Sequence, residues 1–176
     1  GRCVGFGGRA MDTNDNAKYL NSPETELFDK GRSLYNHGAA REATGKGHTL
    51  IVAEGYMDVI ALTEAGFDAA VAPLGTAVTE MQLQLMWRVS DAPTIALDGD
   101  TAGIRAAPRL FYLAFPLLAA CTSLLFAAMP SVPGPDALIR SGAPWALRSV
   151  FVTAPPLIVL ALDTWALCQP SHTPTR

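Results

Sequence analysis

Residues 94–100 read TIALDGD, a short apolar run that ends in Asp98 and Asp100 on either side of a glycine. Residues 50–58 read LIVAEGYMD, in which the apolar run is followed by another acid, Glu54. Short apolar runs bounded by glycines are typical of buried strands in a parallel sheet. Each acid stands where a strand would open into a loop. Since ligands of α/β sheets bind outside the carboxyl ends of the strands, these acids are predicted to mark a binding site.

Strands and helices are predicted to alternate along the middle of the chain. The predicted strands span residues 50–53, 69–74, 94–97 and 123–128. The predicted helices run from Tyr56 to Ala65, from Thr79 onward and from Ala102 onward. This alternation predicts an α/β fold, in which a largely parallel sheet with right-handed crossovers is flanked by helices.

The helix that begins at Thr79 carries its own start signal. Thr79 and Gln82 have the spacing of a capping box, in which each side chain accepts a hydrogen bond from the other's backbone N–H. Its apolar residues recur at near-helical spacing and are predicted to face the core. They are Met81, Leu85, Met86 and Val89. The next helix contains Pro108, which is unfavourable there because proline lacks a backbone donor and clashes one turn back.

The paired aspartates suit a divalent cation. Carboxylates that converge on one edge repel one another unless a cation lies between them, and Mg²⁺ prefers oxygen ligands. Asp98 and Asp100 can also form an ordinary solvated turn, but their place after a strand and before a helix favours a metal site. The predicted chemistry is metal-assisted reaction of phosphates.

The other two acids leave more than one interpretation open. Glu54 follows an apolar strand, so it is expected to be partly buried and to need a partner or a metal. It can bind a metal directly or act as a general acid or base, and the residues do not separate these roles. Asp58 is either a further metal ligand or an acid that stabilises the N-terminus of a helix.

The composition limits the class of protein. The chain has 176 residues, enough for one domain or two small ones with a buried core. Its 13 basic and 16 acidic residues give a net charge of -3, so any nucleic-acid contact must come from a local cluster of cations. Cys3, Cys121 and Cys168 are too widely spaced for a zinc site or a disulfide framework, which favours a reducing cytoplasm and no zinc. The N-terminus lacks both a signal-peptide pattern and an initiator Met, so we expect a piece of a longer protein.

An uncharged run over residues 110–129 is long enough to span a bilayer. Pro116 interrupts it, residues 121–123 make a polar break, and Pro130 closes it. A helix, a turn and a buried strand explain the run about as well, and a membrane span is the less favoured interpretation. No membrane partner is therefore expected. The alternative predicts that the protein needs detergent to stay in solution.

The strand-end glutamate followed by a DxD pair resembles the TOPRIM fold, which bacterial primases, topoisomerases and some nucleases share. In that family these acids form the catalytic, metal-binding cluster. The resemblance implies that Glu54, Asp98 and Asp100 are catalytic. It also implies that these three, with help from Asp58 and Asp136, hold Mg²⁺ or Mn²⁺.

The N-terminal third narrows the resemblance. The motifs are VGFGGR (4–9), KYLNSPET (18–25), LFDKG (27–31), VAPLGTA (71–77) and PDALIR (135–140). Together they resemble the bacterial replicative, DnaG-type primases, closely across residues 1–107 and more thinly afterwards. The resemblance implies three regions. They are the C-terminal part of a basic N-terminal subdomain (1–48), a TOPRIM domain (49–142) and a divergent helical segment (143–176).

The implied activity is metal-dependent synthesis of short RNA primers on single-stranded DNA during replication. In this family, residues of the N-terminal motifs hold the template strand and the incoming ribonucleoside triphosphates. The positions that match are Arg9, Lys18, Tyr19, Asn21 and Lys30. Residue chemistry alone favours a solvated loop with three ordinary cations, and the resemblance reverses that preference. A replicative helicase is the implied protein partner, through a region outside this chain.

The chain also departs from the family pattern. Related primases carry an Asp-Pro-Asp motif after the fourth strand, and Gly134 stands in place of its first acid. The zinc-binding module of the family is also outside this sequence. One rival interpretation is therefore a catalytically silent fragment that binds metal or DNA. Another is a TOPRIM nuclease or topoisomerase, although nothing marks a tyrosine of this chain as a topoisomerase nucleophile.

Overall fold

The computed structural model describes residues 3–11, 19–74, 77–98, 101–117, 123–128, 134–141 and 158–160. The strands within these residues are β1 (Gly7–Arg9), β2 (Tyr19–Asn21), β3 (Leu34–Tyr35), β4 (Ile51–Val52), β5 (Ala70–Pro73), β6 (Thr94–Leu97), β7 (Leu124–Ala128) and β8 (Ile158–Leu160). The helices are α1 (His37–Gly45), α2 (Tyr56–Glu64), α3 (Glu80–Trp87), α4 (Thr101–Ala114) and α5 (Gly134–Arg140). Short 3-10 helices form at Lys30–Arg32 and Phe115–Leu117.

Six strands form one sheet in the order β3-β5-β4-β6-β7-β8. The four central strands, β5, β4, β6 and β7, are mutually parallel, and β3 and β8 pair antiparallel at the two edges. Each of the four predicted strands is present in this parallel core, which confirms the α/β prediction. β1 and β2 form a separate antiparallel hairpin.

Side chains alternate between the two faces of the sheet, as expected for strands. On one face, the larger residues Val52, Val71 and Ile95 pack with buried residues of α3 and α4. On the other face, Ala70, Ala72 and Ala96 pack with buried residues of α2 and α5. The fold is therefore three layers, with helices covering both faces of the sheet.

The start of α3 confirms the predicted capping box. Thr79 Oγ1 accepts a hydrogen bond from the backbone N–H of Gln82 at 3.1 Å, and Gln82 Oε1 accepts one from the backbone N–H of Thr79 at 3.0 Å. The prediction that Met81 faces the core is wrong, because Met81 is 39% exposed. The prediction is confirmed for Met86, which is fully buried, and for Leu85 and Val89, which pack beside the core. Leu83, which was not predicted, is fully buried as well. Because Gln82 turns inward for the cap, Met81 points outward.

Helix α4 runs through Pro108 without ending. Pro108 cannot donate to the carbonyl of Ile104, so this turn lacks one helical hydrogen bond. Burial of Leu110 and Ala114 against the sheet offsets that loss. The described part of the uncharged run 110–129 consists of the end of α4, a 3-10 turn and β7. Among the described residues, no helix is long and apolar enough to cross a membrane.

The segment 143–176, predicted to be helical, is described only at Ile158–Leu160. These residues form β8, with Leu160, Val159 and Ile158 opposite Leu124, Leu125 and Phe126 of β7. The remainder of that segment lies outside the described residues. Where it is described, the segment is therefore part of the sheet.

Candidate active site at the carboxyl edge of the sheet

Glu54 and Asp98, predicted to meet, lie at the carboxyl ends of adjacent parallel strands. Val52 of β4 pairs with Ile95 of β6, so both strands end at the same edge. Glu54 Oε1 accepts a hydrogen bond from the backbone N–H of Asp98 at 3.2 Å. We call Glu54 and Asp98 the edge pair. Glu54 itself is exposed, contrary to the expectation of partial burial, because β4 already ends at Val52 and the chain bends outward.

The position of Asp98 depends on a glycine at the start of α4. A Cβ added at Gly103 would overlap the carbonyl oxygen of Asp98. Only glycine lets the first turn of α4 lie this close to the end of β6. Asp100, the third predicted catalytic acid, lies outside the described residues.

A second pair of acids, Asp58 and Asp136, joins the first turns of α2 and α5. Asp58 Oδ1 accepts a hydrogen bond from the backbone N–H of Asp136 at 3.2 Å. Burial raises the pKa of Asp58 to about 6, and the nearby Asp136 charge adds to the rise, against an opposing hydrogen bond from the Asp136 backbone. We call these two residues the outer pair. Asp58 lies in the first turn of α2, as the helix N-terminus interpretation expects, and it also lies beside another acid. Its role as a metal ligand stays a prediction.

Two arginines neutralise Asp136. Arg140 Nη2 donates a hydrogen bond to Asp136 Oδ2, and Arg9 Nη1 lies 3.9 Å from the same oxygen. The Asp136 side chain is 16% exposed. One of its oxygens is thus directed at cations of the protein itself. Arg9, predicted to bind nucleic acid, reaches from the hairpin to this acid.

The hairpin carries Arg9, Tyr19 and Asn21 and rests on Tyr56 of α2. Arg9 pairs with Tyr19 across the hairpin, and its guanidinium lies 5.8 Å from the centre of the Tyr19 ring. Tyr19 in turn meets Tyr56 edge-on, with ring centres 5.8 Å apart. Tyr19 remains 44% exposed, so part of its ring is accessible to a base. A Cβ at Gly7 would come 3.0 Å from Asn21 Oδ1 and 3.2 Å from the Tyr56 ring.

Tyr56 is a site residue that the sequence reasoning missed. Its hydroxyl is buried and finds no hydrogen-bond partner among the described residues, and burial raises its pKa. The signal lay in its position between Glu54 and Asp58, the two acids of one motif. Tyr56 connects the hairpin to the helix that carries Asp58.

Lys30 lies in a turn that is held against the start of α3. Gln82 Nε2 donates to the carbonyl oxygens of Lys30 at 2.8 Å and Ser33 at 2.9 Å, and Thr79 Oγ1 donates to Gly31 at 2.5 Å. Gln82, 1% exposed, therefore caps α3 and fixes this turn at once. Lys18, the other predicted lysine, lies outside the described residues.

A cleft of about 340 Å³ opens between the strand ends and α4. Its walls are mainly apolar, and its charged lining residues are Glu54 and Arg109. Among the residues that the structure describes, no three His, Cys, Asp or Glu side chains come together as a metal-binding group. The edge pair and the outer pair offer only oxygen donors, which is the chemistry that suits Mg²⁺ and Mn²⁺.

Comparison with known proteins agrees with this geometry. Residues 1–41 match the family model of the N-terminal domain of the DNA primase catalytic core, and residues 48–122 match that of the Toprim domain. The DNA primase of Escherichia coli K12 is 42% identical over 157 residues, which cover 89% of this chain and 27% of that protein. This chain thus spans about a quarter of the length of its curated relatives.

Solved structures give the same result. The E. coli primase catalytic core superposes with a TM-score of 0.79 at 42% identity, over 89% of this chain and 50% of that one. The DnaG primase catalytic domain bound to ssDNA superposes with a TM-score of 0.78 at 41% identity, over the same shares of the two chains. The acids at the sheet edge, the two matching domain models and these superpositions lead to one conclusion: the chain belongs to the family of bacterial DnaG-type DNA primases.

Proposed function

We propose that this chain is part of a primase core that joins ribonucleotides into short RNA primers on a single-stranded DNA template in the cytoplasm. The observation that supports this most is the edge pair, in which Glu54 and Asp98 meet at the carboxyl ends of β4 and β6. Oxygen donors at this edge suit phosphoryl transfer in a chain whose relatives are DNA primases.

The acids of this edge have distinct proposed roles. Glu54, Asp98 and Asp100 hold Mg²⁺ or Mn²⁺, and Asp58 and Asp136 add negative charge beside them. The backbone N–H of Asp98 occupies one Glu54 oxygen, which orients the carboxylate and leaves its other oxygen as the donor for the metal in this proposal. When bound, the metal stabilises the charge of the triphosphate and lowers the pKa of the attacking 3′-hydroxyl.

The N-terminal residues bind template and nucleotide in this proposal. Lys18 and Lys30 attract phosphates, the exposed part of Tyr19 stacks a base, and the Asn21 side chain hydrogen-bonds the template or the nucleotide. Arg9 contributes through Asp136 and Tyr19 as well as through its charge. A solved relative bound to ssDNA supports the choice of template. The ribonucleoside triphosphates, and a replicative helicase bound through a region outside this chain, complete the set of proposed partners.

A second candidate is a silent fragment that binds metal or DNA without turnover. The ion pairs of Asp136 with Arg9 and Arg140 favour it, because they neutralise an acid that is expected beside the metal. Gly134 favours it too, since it replaces an acid of the family motif. The two candidates share the metal site and differ in turnover.

Primer synthesis on single-stranded DNA with labelled ribonucleotides, in Mg²⁺ and in Mn²⁺, separates the two candidates. We expect products from the parent chain and their loss in Glu54→Gln and in Asp98→Asn combined with Asp100→Asn. The matched control is Glu64→Gln, an exposed acid at the far end of α2. Mn²⁺ paramagnetic relaxation should show metal binding that the double variant abolishes. Metal binding without primers in the parent selects the silent fragment, and unchanged metal affinity in the double variant refutes the metal site that both candidates share.

A further inference from the structure

The outer face of α4 carries two cations and an aromatic ring in a row. Arg105, Arg109 and Tyr112 recur at intervals of four and three residues, so they lie on one side of the helix. All three are exposed, Tyr112 to 75%. Neither arginine forms an ion pair with any described residue, and Thr101–Ala114 contains no acid. We call these three residues the α4 stripe.

The aromatic end of the stripe is held in place by its neighbours. Phe111 meets Tyr112 edge-on with ring centres 5.4 Å apart, and Phe111 lies 5.6 Å from Phe115. Phe115 is itself 48% exposed. At the other end, Arg105 Nε donates to the carbonyl oxygen of Thr101 at 2.9 Å. The stripe therefore presents ordered cationic and flat apolar groups to solvent.

The stripe adjoins the candidate active site. Arg109 is both a member of the stripe and a lining residue of the cleft that contains Glu54. A strand that enters this cleft beside Glu54 therefore also reaches Arg109, which lies one helical turn from Arg105. In a chain of net charge -3, two arginines on a helix without acids form a local attraction for phosphate. Aromatic rings interleaved with such cations are the pattern of single-stranded nucleic-acid surfaces.

We propose that the α4 stripe is a second contact surface for single-stranded nucleic acid, in addition to the N-terminal hairpin and turn. Arg105 and Arg109 bind successive phosphates of the strand where it passes the candidate active site, and Tyr112 stacks one of its bases. This inference rests on the proposed function, because it requires a strand at the carboxyl edge. The inference extends the proposed function by specifying the path that the nucleic-acid strand follows over the protein surface.

Fluorescence anisotropy with a labelled single-stranded oligonucleotide tests the surface. Arg105→Ala combined with Arg109→Ala should weaken binding and reduce the slope of log affinity against log salt by about 1.4, as expected for two lost phosphate contacts. Tyr112→Ala should weaken binding about fivefold or more, and Tyr112→Phe should restore it because the ring remains. Arg41→Ala, an exposed arginine of α1, is the matched control and should leave both affinity and slope unchanged. Circular dichroism of each variant checks that the fold is intact.

Cross-linking gives a direct readout. An oligonucleotide that contains 5-bromouracil should cross-link to Tyr112 on irradiation, and mass spectrometry of the peptides identifies the residue.

If the parent binds the oligonucleotide but the stripe variants bind it equally well and no cross-link reaches α4, the stripe is refuted while the proposed function stands. If the parent does not bind the oligonucleotide, both are refuted. If the stripe variants change self-association instead of oligonucleotide affinity, the stripe is an interface between copies of this chain and the proposal is wrong.

Discussion

At the scale of single residues, the acids at the sheet edge differ in their burial and in the groups that contact their carboxylates. The Asp136 carboxylate is held by Arg9 and Arg140, whereas Asp58 is half-buried beside it and its pKa is raised. Glu54 is exposed and hydrogen-bonded through one oxygen. Of these acids, Glu54 is therefore the one most open to a ligand.

Asp58 should make stability depend on pH. Its pKa is about 6 in the folded protein, above the value of about 3.9 for an unfolded aspartate. The folded state therefore holds more protons between these pH values, and the stabilisation present below about pH 4 is lost as the pH rises through about 6. We expect Asp58→Asn to flatten the free energy of unfolding between pH 4 and 6, measured by urea titration at each pH. Asp68→Asn, at an exposed acid, should keep the parent's slope, and an unchanged slope in Asp58→Asn would contradict the prediction.

Gly134→Asp should strengthen metal binding. The substitution places an acid at the first residue of α5, two residues before Asp136, and removes backbone freedom that is lost on folding. The added carboxylate should raise Mn²⁺ affinity by roughly tenfold, measured by isothermal titration. Gly38→Asp is the matched control, because it adds an acid to the first turn of α1, where a side chain meets no neighbour. Equal gains in both variants would mean that residue 134 lies away from the metal.

At the scale of elements, Gln82 connects the start of α3 to the turn around Lys30. The sequence pattern predicted only its bond within α3. The capping box was predictable, since Thr79 and Gln82 have the required spacing. The two bonds from Gln82 Nε2 to the turn around Lys30 were not, because they join residues about fifty positions apart. The misplacement of Met81 has the same origin, as the buried face of α3 includes a polar residue.

Gln82→Ala should therefore destabilise the protein more than the loss of a polar side chain usually does. It removes half of the capping box and leaves the carbonyl oxygens of Lys30 and Ser33 without their donor. The expected loss is about 2–3 kcal/mol in the free energy of unfolding, measured by urea denaturation. Met81→Ala, at the exposed neighbouring position, should change it by no more than about 0.5 kcal/mol. Similar losses in the two variants would show that the bonds of Gln82 contribute little.

The parallel core of the sheet was predictable because each strand is a short apolar run followed by a loop signal. Strand β3 was not predictable, because Leu34 and Tyr35 do not lie in an apolar run. They form a strand only by pairing with β5. β8 was missed for a related reason, because Ile158–Leu160 lies in a long apolar segment that also suits a helix. A short apolar run in the sequence identifies a strand that is buried on both faces. An edge strand forms by pairing with a neighbouring strand, which the local sequence does not show.

At the scale of the whole molecule, the N-terminal third forms one side of the candidate site. The hairpin rests on Tyr56, Arg9 reaches Asp136, and the Lys30 turn is bonded to α3. The sequence predicted that the acids of β4 and β6 converge, because parallel strands end at one edge. It did not predict the contact of Arg9 with Asp136, because no local pattern relates residues so far apart.

Gly7→Ala should separate the hairpin from the sheet edge. The added methyl group would press on Asn21 and the Tyr56 ring, at 3.0 and 3.2 Å. Crowding of this kind typically costs about 1–3 kcal/mol, so we expect a lower melting temperature together with weaker oligonucleotide binding. Gly8→Ala is the control, since a Cβ there comes no closer than 3.7 Å to Leu20. The contact is unimportant if the two variants bind and melt alike.

The antiparallel strand β8 has a consequence for the solution behaviour of the protein. It covers the free edge of β7, whose sequence LLFAA is apolar throughout and carries no charge or proline. An uncovered edge of this composition is a template for strand pairing between molecules, which leads to aggregation. A chain that ends at residue 157 should therefore form oligomers or precipitate at concentrations where the full chain does not, as size-exclusion chromatography would show. In this respect β8 protects the sheet from self-assembly, independently of the chemistry at the carboxyl ends of β4 and β6.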